Sequence, residues 1–372
     1  MESPYSRIPA VPAAIGLASG IALQATPVAP VVLCGVGIAA VVAAVWIWRQ
    51  SAFFASAPAA LAIGMVLAAF MPATPEAAPI PARGAVAEAI YMSPMNGPAA
   101  AFAATTIAAE DSYLQEALRN DFRGSGLAHL LALSGFHVGV VAMIALWVTA
   151  PVMLMGRARR VRWLMVFAAV WAFALLGGMR PSLMRAAIMS TMLLVARSIG
   201  RYSSSVNALA VAAIVILAIR PSALSDVGFQ LSFAAVFGIL VFAPALNHFP
   251  PRRGTLHAFG SVVAVPVSAT LATAPIVASV FGTIPLLFLP ANIIASVLFA
   301  PFYVLALSAA VLSASGVPCG ALARCADGIY TLISGVASQL NFAVGVRFGN
   351  VALILSYVAI GAVALRLLTR RR

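Results

Sequence analysis

From residue 127 onward the chain is a file of apolar segments, each near the length of one bilayer crossing. They fall at about 127–155, 161–179, 182–196, 204–219, 227–246, 258–281, 285–313 and 348–368. A hydrocarbon core of about 30 Å takes roughly 20 apolar residues per helix. Lipid offers no hydrogen-bond partner to bare backbone, so such segments must close their own ladders as helices. Three more apolar stretches precede them, at about 11–28, 31–48 and 52–71. With 63% hydrophobic and only 8% charged residues, the chain cannot cover a soluble globule of its length. The sequence therefore predicts an all-α, polytopic transmembrane helix bundle of about 11–12 spans.

Charge divides the chain into three parts: an N-terminal transmembrane region of three spans at 1–71, a loop at 72–123 and a second transmembrane domain at 124–372. Six of the nine acids lie in the loop, and its start is rich in proline (Pro72, Pro75, Pro79, Pro81). This predicts a short, exposed extracytoplasmic loop with an amphipathic helix over about 104–122. All 22 basic residues are arginine, and they set the orientation, because arginine collects in cytoplasmic loops. An N-terminus in the cytoplasm puts the acidic loop outside, and puts the cluster at Arg157–Arg162 and the pair Arg252/Arg253 inside. The segment 318–344, with Arg324, Asp327, Gln339 and Asn341, reads as a crossing, a re-entrant element or a surface helix.

Three constellations interrupt the apolar text. In the first, Gly126 to Gly139, a helix running on to residue 147 would gather His129, Ser134 and His137 on one face, opposite Ala128, Ala132, Gly135 and Gly139. Ionisable groups at membrane depth commonly line a path or pair with a partner. The same histidines could also bond to neighbouring carbonyls and only fix packing. In the second, Gly177 to Ala186, Pro181 suits a first helical turn, and Arg180 and Arg185 could hold an anion there. A lipid phosphate and a substrate phosphate fit equally. In the third, Ser225 to Phe233, Asp226 can cap a helix with Gln230 one turn on. Arg180 or Arg185 is the expected partner of Asp226. Pro266 and Pro275 break up the span at 258–281, which transporters and channels tolerate.

No cofactor is expected, and the chain is not read as an enzyme. Cys34, Cys319 and Cys325 lack metal-site spacing. Ser134 and His137 could touch at i, i+3, but no orienting acid stands nearby in the sequence, so an intramembrane hydrolase is a distant alternative.

The chain resembles the ComEC family of competence membrane proteins in a series of ordered blocks. These are Phe122–Val138 (FRGSGLAHLLALSGFHV), Pro181–Met189 (PSLMRAAIM), Asn207–Leu209, Asp226–Ala235 (DVGFQLSFAA), Ala272–Ala278 with Phe281-Gly282, and Leu289–Asn292 (LPAN). The resemblance covers roughly 120–345. It implies an inner-membrane channel component that translocates single-stranded DNA during natural transformation, multi-pass in the bacterial inner (plasma) membrane. It would set His129, Ser134, His137, Arg180, Arg185, Asp226 and Gln230 in or beside the DNA path. Implied partners are single-stranded DNA, membrane lipids, a separate nuclease and cytoplasmic DNA-handling proteins. Longer relatives carry an OB-fold domain where this chain has residues 72–123, too few for a complete one. A C-terminal metallo-β-lactamase-like domain is not expected, because the HxHxDH signature is absent. A transporter of another anionic solute would use the same groups.

Overall fold

The computed structural model describes residues 10–24, 81–151, 159–198, 204–247, 255–346 and 349–370. The spans expected at 31–48 and 52–71, Cys34, and the orienting arginines Arg157, Arg252 and Arg253 lie outside the described residues. The described residues are overwhelmingly helical. In chain order the helices are α1 (Ala10–Gln24), α2 (Pro81–Tyr91), α3 (Gly97–Ala108), α4 (Glu116–Gly124), α5 (Ala128–Leu131), α6 (Gly135–Val148), α7 (Arg159–Leu176), α8 (Pro181–Ser198) and α9 (Ser205–Ile219). A 3-10 turn at Pro221–Ser225 leads into α10 (Val227–Leu246), α11 (Thr255–Phe281), α12 (Phe288–Ala314), α13 (Gly320–Gln339) and α14 (Asn350–Arg370). Two short strands, β1 (Thr283–Pro285) and β2 (Ala343–Gly345), pair antiparallel with Ile284 opposite Val344. Among the described residues, three stretches are long and apolar enough to cross a membrane: α10, residues Val262–Phe281 of α11, and α12.

The chain divides into two compact units, Met1–Ala78 with Met184–Phe233 and Pro79–Leu183 with Ala234–Arg372. In the first, α1 packs on α9 and on the 3-10 turn. In the second, α12 and α13 form a long hairpin, with α2 and α3 laid against α12 and α4 against α13. Its centre is Phe102 of α3, fully buried. The Phe102 ring lies 5.4 Å from that of Phe122, 6.1 Å from Phe299, 5.2 Å from Phe302 and 5.5 Å from Tyr330.

Two sequence expectations change here. The segment 72–123 is not a bare exposed loop with a helix at 104–122. From Pro81 it carries three helices, and α3 is buried all round from Ala99 to Ala108. Ten consecutive buried residues are what an Ala-rich helix without a polar face requires. Asn96 starts this helix by accepting the Ala99 N–H at 2.8 Å. Only α4 is strongly amphipathic. The ambiguous segment 318–344 is α13 followed by β2. The buried residues of α13 (Ala323, Ala326, Tyr330, Ile333, Ala337) form one helical stripe against α12.

Glycine is required at two close approaches. Gly126 sits at φ +80°, and a Cβ there would stand 2.8 Å from Cβ of Phe288. Gly238 of α10 meets the Ser268 carbonyl of α11, where a Cβ would be 2.5 Å from the oxygen. Such contacts let apolar helices pack backbone to backbone.

Candidate functional site

The stretch from Gly126 to residue 147 is not one helix. α5 lasts four residues, Ala132 and Ser134 are extended, and α6 begins afresh at Gly135. The break is a capping box. Ser134 Oγ accepts the Phe136 N–H at 3.3 Å, and His137 Nδ1 accepts the Ser134 N–H at 3.2 Å. A box of this kind satisfies amides at both sides of a helix start. The polar face drawn from a continuous helix therefore does not form. His129 is exposed, whereas His137 is fully buried. The His137 ring packs edge-on to Phe299 at 4.9 Å and Tyr303 at 5.9 Å. Ser134 Oγ and His137 Nδ1 do touch, at 3.1 Å, but Nε2 finds no partner among the described residues. The pair closes a helix end. Replacing Ser134 with alanine should lower stability by about 1 kcal/mol. An unfolding temperature in detergent equal to wild type would show that the cap carries no stability.

The second constellation separates. Arg180 lines a cavity of about 200 Å³ in the unit that holds α3 to α6, together with Thr105, Asp111, Arg119 and Arg123. Ala128, Leu131 and Ala132 of α5 form its other wall. Arg119 Nη1 meets Asp111 Oδ2 at 3.2 Å, and Glu116 lies 3.6 Å from both Arg119 Nε and Arg123 Nη1. Three guanidiniums against one lining carboxylate make this a basic pocket. Arg119 and Arg123 are not among the site residues read from the sequence, which expects only an amphipathic helix over about 104–122. The available signal was their i, i+4 spacing on α4.

Arg185 belongs to the other unit and is 5% exposed. Its Nη1 donates to the Ser232 carbonyl at 3.0 Å, so the expected Arg185–Asp226 pairing is replaced by a side chain to backbone bond. Asp226 Oδ1 accepts the Phe229 N–H at 3.0 Å, the capping role read from the sequence. Gln230 Nε2 donates to the Leu224 carbonyl at 2.9 Å, fastening the turn before α10. Thus His129, Ser134, His137 and Arg180 lie in one unit, and Arg185, Asp226 and Gln230 in the other.

Comparison with known proteins now adds a second kind of observation. Residues 107–371 match a family model described as Competence protein. ComE operon protein 3 of Bacillus subtilis (strain 168) is 27% identical over 191 residues, 51% of this chain and 23% of that protein. The match thus spans about a quarter of that relative's length. No solved structure matches.

Proposed function

The chain belongs to the competence-protein family, that of the ComEC proteins, and from that premise we propose that it carries single-stranded DNA across the bacterial inner membrane during natural transformation. It is a membrane protein, with helices long and apolar enough to cross a bilayer. The observation that carries the reading is the arginine-lined pocket walled by α3, α4 and α5. A nucleic acid backbone presents one negative charge per nucleotide, and guanidinium forks match phosphate oxygens. In this reading the chain binds and conducts and is not itself an enzyme, since its Ser134–His137 contact serves as a cap. A separate nuclease and cytoplasmic DNA-handling proteins would complete the pathway. The membrane is the inner one, crossed many times, with the N-terminus in the cytoplasm.

The alternative is a transporter of another anionic solute, favoured by the small size of the pocket, about 200 Å³. One experiment separates the two. In the competent parent organism, deletion of the gene should leave labelled DNA bound outside and remove nuclease-protected DNA inside, and a plasmid copy should restore it. Unchanged internalised DNA in the deletion strain would end the DNA reading and leave the solute transporter.

A further inference from the structure

Beside the arginine pocket the surface carries an exposed pair of aromatic rings. Tyr91, the last residue of α2, and Tyr113 stack with ring centroids 4.4 Å apart and planes within 15°. They remain 41% and 39% exposed. Tyr113 stands between Asp111 and Leu114, both of which line the pocket. The loop that bears it is held on both sides. Arg83 of α2 donates to the Ala109 carbonyl and lies 3.7 Å from Glu110. Arg119 donates from Nη2 to the Asp111 carbonyl at 2.6 Å. Ala109 is locked in a left-handed turn at φ 59°. A fixed, solvent-facing stack is an unusual use of two large rings, which gain more from burial. A half-exposed ring pair on the loop that also gives Asp111 and Leu114 to the arginine pocket matches the two halves of a nucleotide, base and phosphate. Aromatic stacking tolerates any base, and arginines track the backbone.

We propose that Tyr91 and Tyr113 together with Arg119, Arg123 and Arg180 form a docking site for single-stranded nucleic acid, bases on the tyrosine stack and phosphates in the pocket. The inference rests on the DNA reading above and names where on this chain the strand is held. Asp111 and Glu116 fix Arg119 in place through the ion pairs already described. Arg123, which lines the pocket and is about half exposed, can be exchanged at little structural cost. A lipid headgroup would fill the arginines but has no use for the rings.

The test uses the full chain in neutral detergent micelles with a fluorescent oligothymidine 12-mer, titrated over a range of salt. Arg123→Gln and Arg180→Gln should each weaken binding about tenfold and lower the slope of log affinity against log salt by about 0.7, one phosphate contact on a single strand. Tyr113→Ala and Tyr91→Ala should weaken binding by about tenfold with the slope unchanged, because stacking releases no counterions. An unfolding temperature within wild-type range qualifies each variant, and two variants of each kind guard against one that fails to fold. Unchanged slopes in both arginine variants would overturn the site. So would unchanged affinity in both tyrosine variants. Loss of binding to vesicles of equal phosphatidylcholine and phosphatidylglycerol in the arginine variants, with oligonucleotide binding intact, would assign the pocket to lipid and overturn it as well. Failure here leaves the deletion phenotype standing, and failure of the deletion experiment leaves the binding result standing, so the two readings fall separately.

Discussion

Replacing Arg185 with leucine should abolish transformation while leaving the amount of folded protein unchanged or raised. Arg185 is nearly inaccessible, donates to one carbonyl, and keeps Nε without a partner among the described residues. Burying a charge costs several kcal/mol, incompletely returned by one hydrogen bond. The Ser232 carbonyl lies inside α10, where the helix's own ladder also supplies a donor, so removing the arginine does not orphan it. Exchanging a buried ionic group for an apolar side chain of similar size is commonly neutral or stabilising by about 1–4 kcal/mol. Stability thus argues for leucine at this position, and only a task that needs the charge argues against it. Membrane abundance, unfolding temperature and internalised DNA measured on one strain set decide the matter. Arg185→Lys, which keeps charge but loses the planar fork, should fall between. Normal uptake by the leucine variant would reduce Arg185 to a packing element.

The largest stability effect is expected at Phe102. Its ring is fully buried and touches four other aromatic rings supplied by α4, α12 and α13. Truncation to alanine should cost about 3–5 kcal/mol, the lost contacts plus the cavity left behind. Phe102→Ala should therefore show a steep fall in unfolding temperature and in membrane abundance, and Phe102→Leu a smaller one. A loss under about 1 kcal/mol would mean that the surrounding helices collapse into the gap and that α3 is not the keystone of its unit.

The apolar spans were legible because run length alone sets them. The segments read at 204–219, 227–246 and 258–281 are Ser205–Ile219, Val227–Leu246 and Thr255–Phe281 in the structure. The role of Asp226 was legible too, since a carboxylate three residues before an amide it can reach is a local relation. The break at Ser134 was not. Hydrophobic periodicity runs straight through Ala132 to Val138, and nothing in it shows that a histidine at the third helical position will turn back onto the preceding amide. α3 was hidden for a different reason. Averaged over fifty residues, the prolines and acids of 72–123 mask a twelve-residue apolar run inside it. Arg119 and Arg123 lie on and just beyond the amphipathic helix expected at 104–122, and only the folding of α5 and Arg180 against that face makes it concave. Pocket membership depends on residues about 60 positions apart in the chain, which no local pattern carries.

The small β1–β2 ladder has a mechanical meaning. It joins the turn between α11 and α12 to the turn between α13 and α14, and it is lengthened at both ends, where Leu286 donates to the Phe342 carbonyl at 2.9 Å and Val346 to the Gly282 carbonyl at 2.8 Å. Four helix ends are thereby pinned in one knot. Sliding any of these rods along its own axis would tear the knot, and because α12 and α13 are joined again by the short turn at 315–319 at their other end, that pair is clamped twice and moves as one lever.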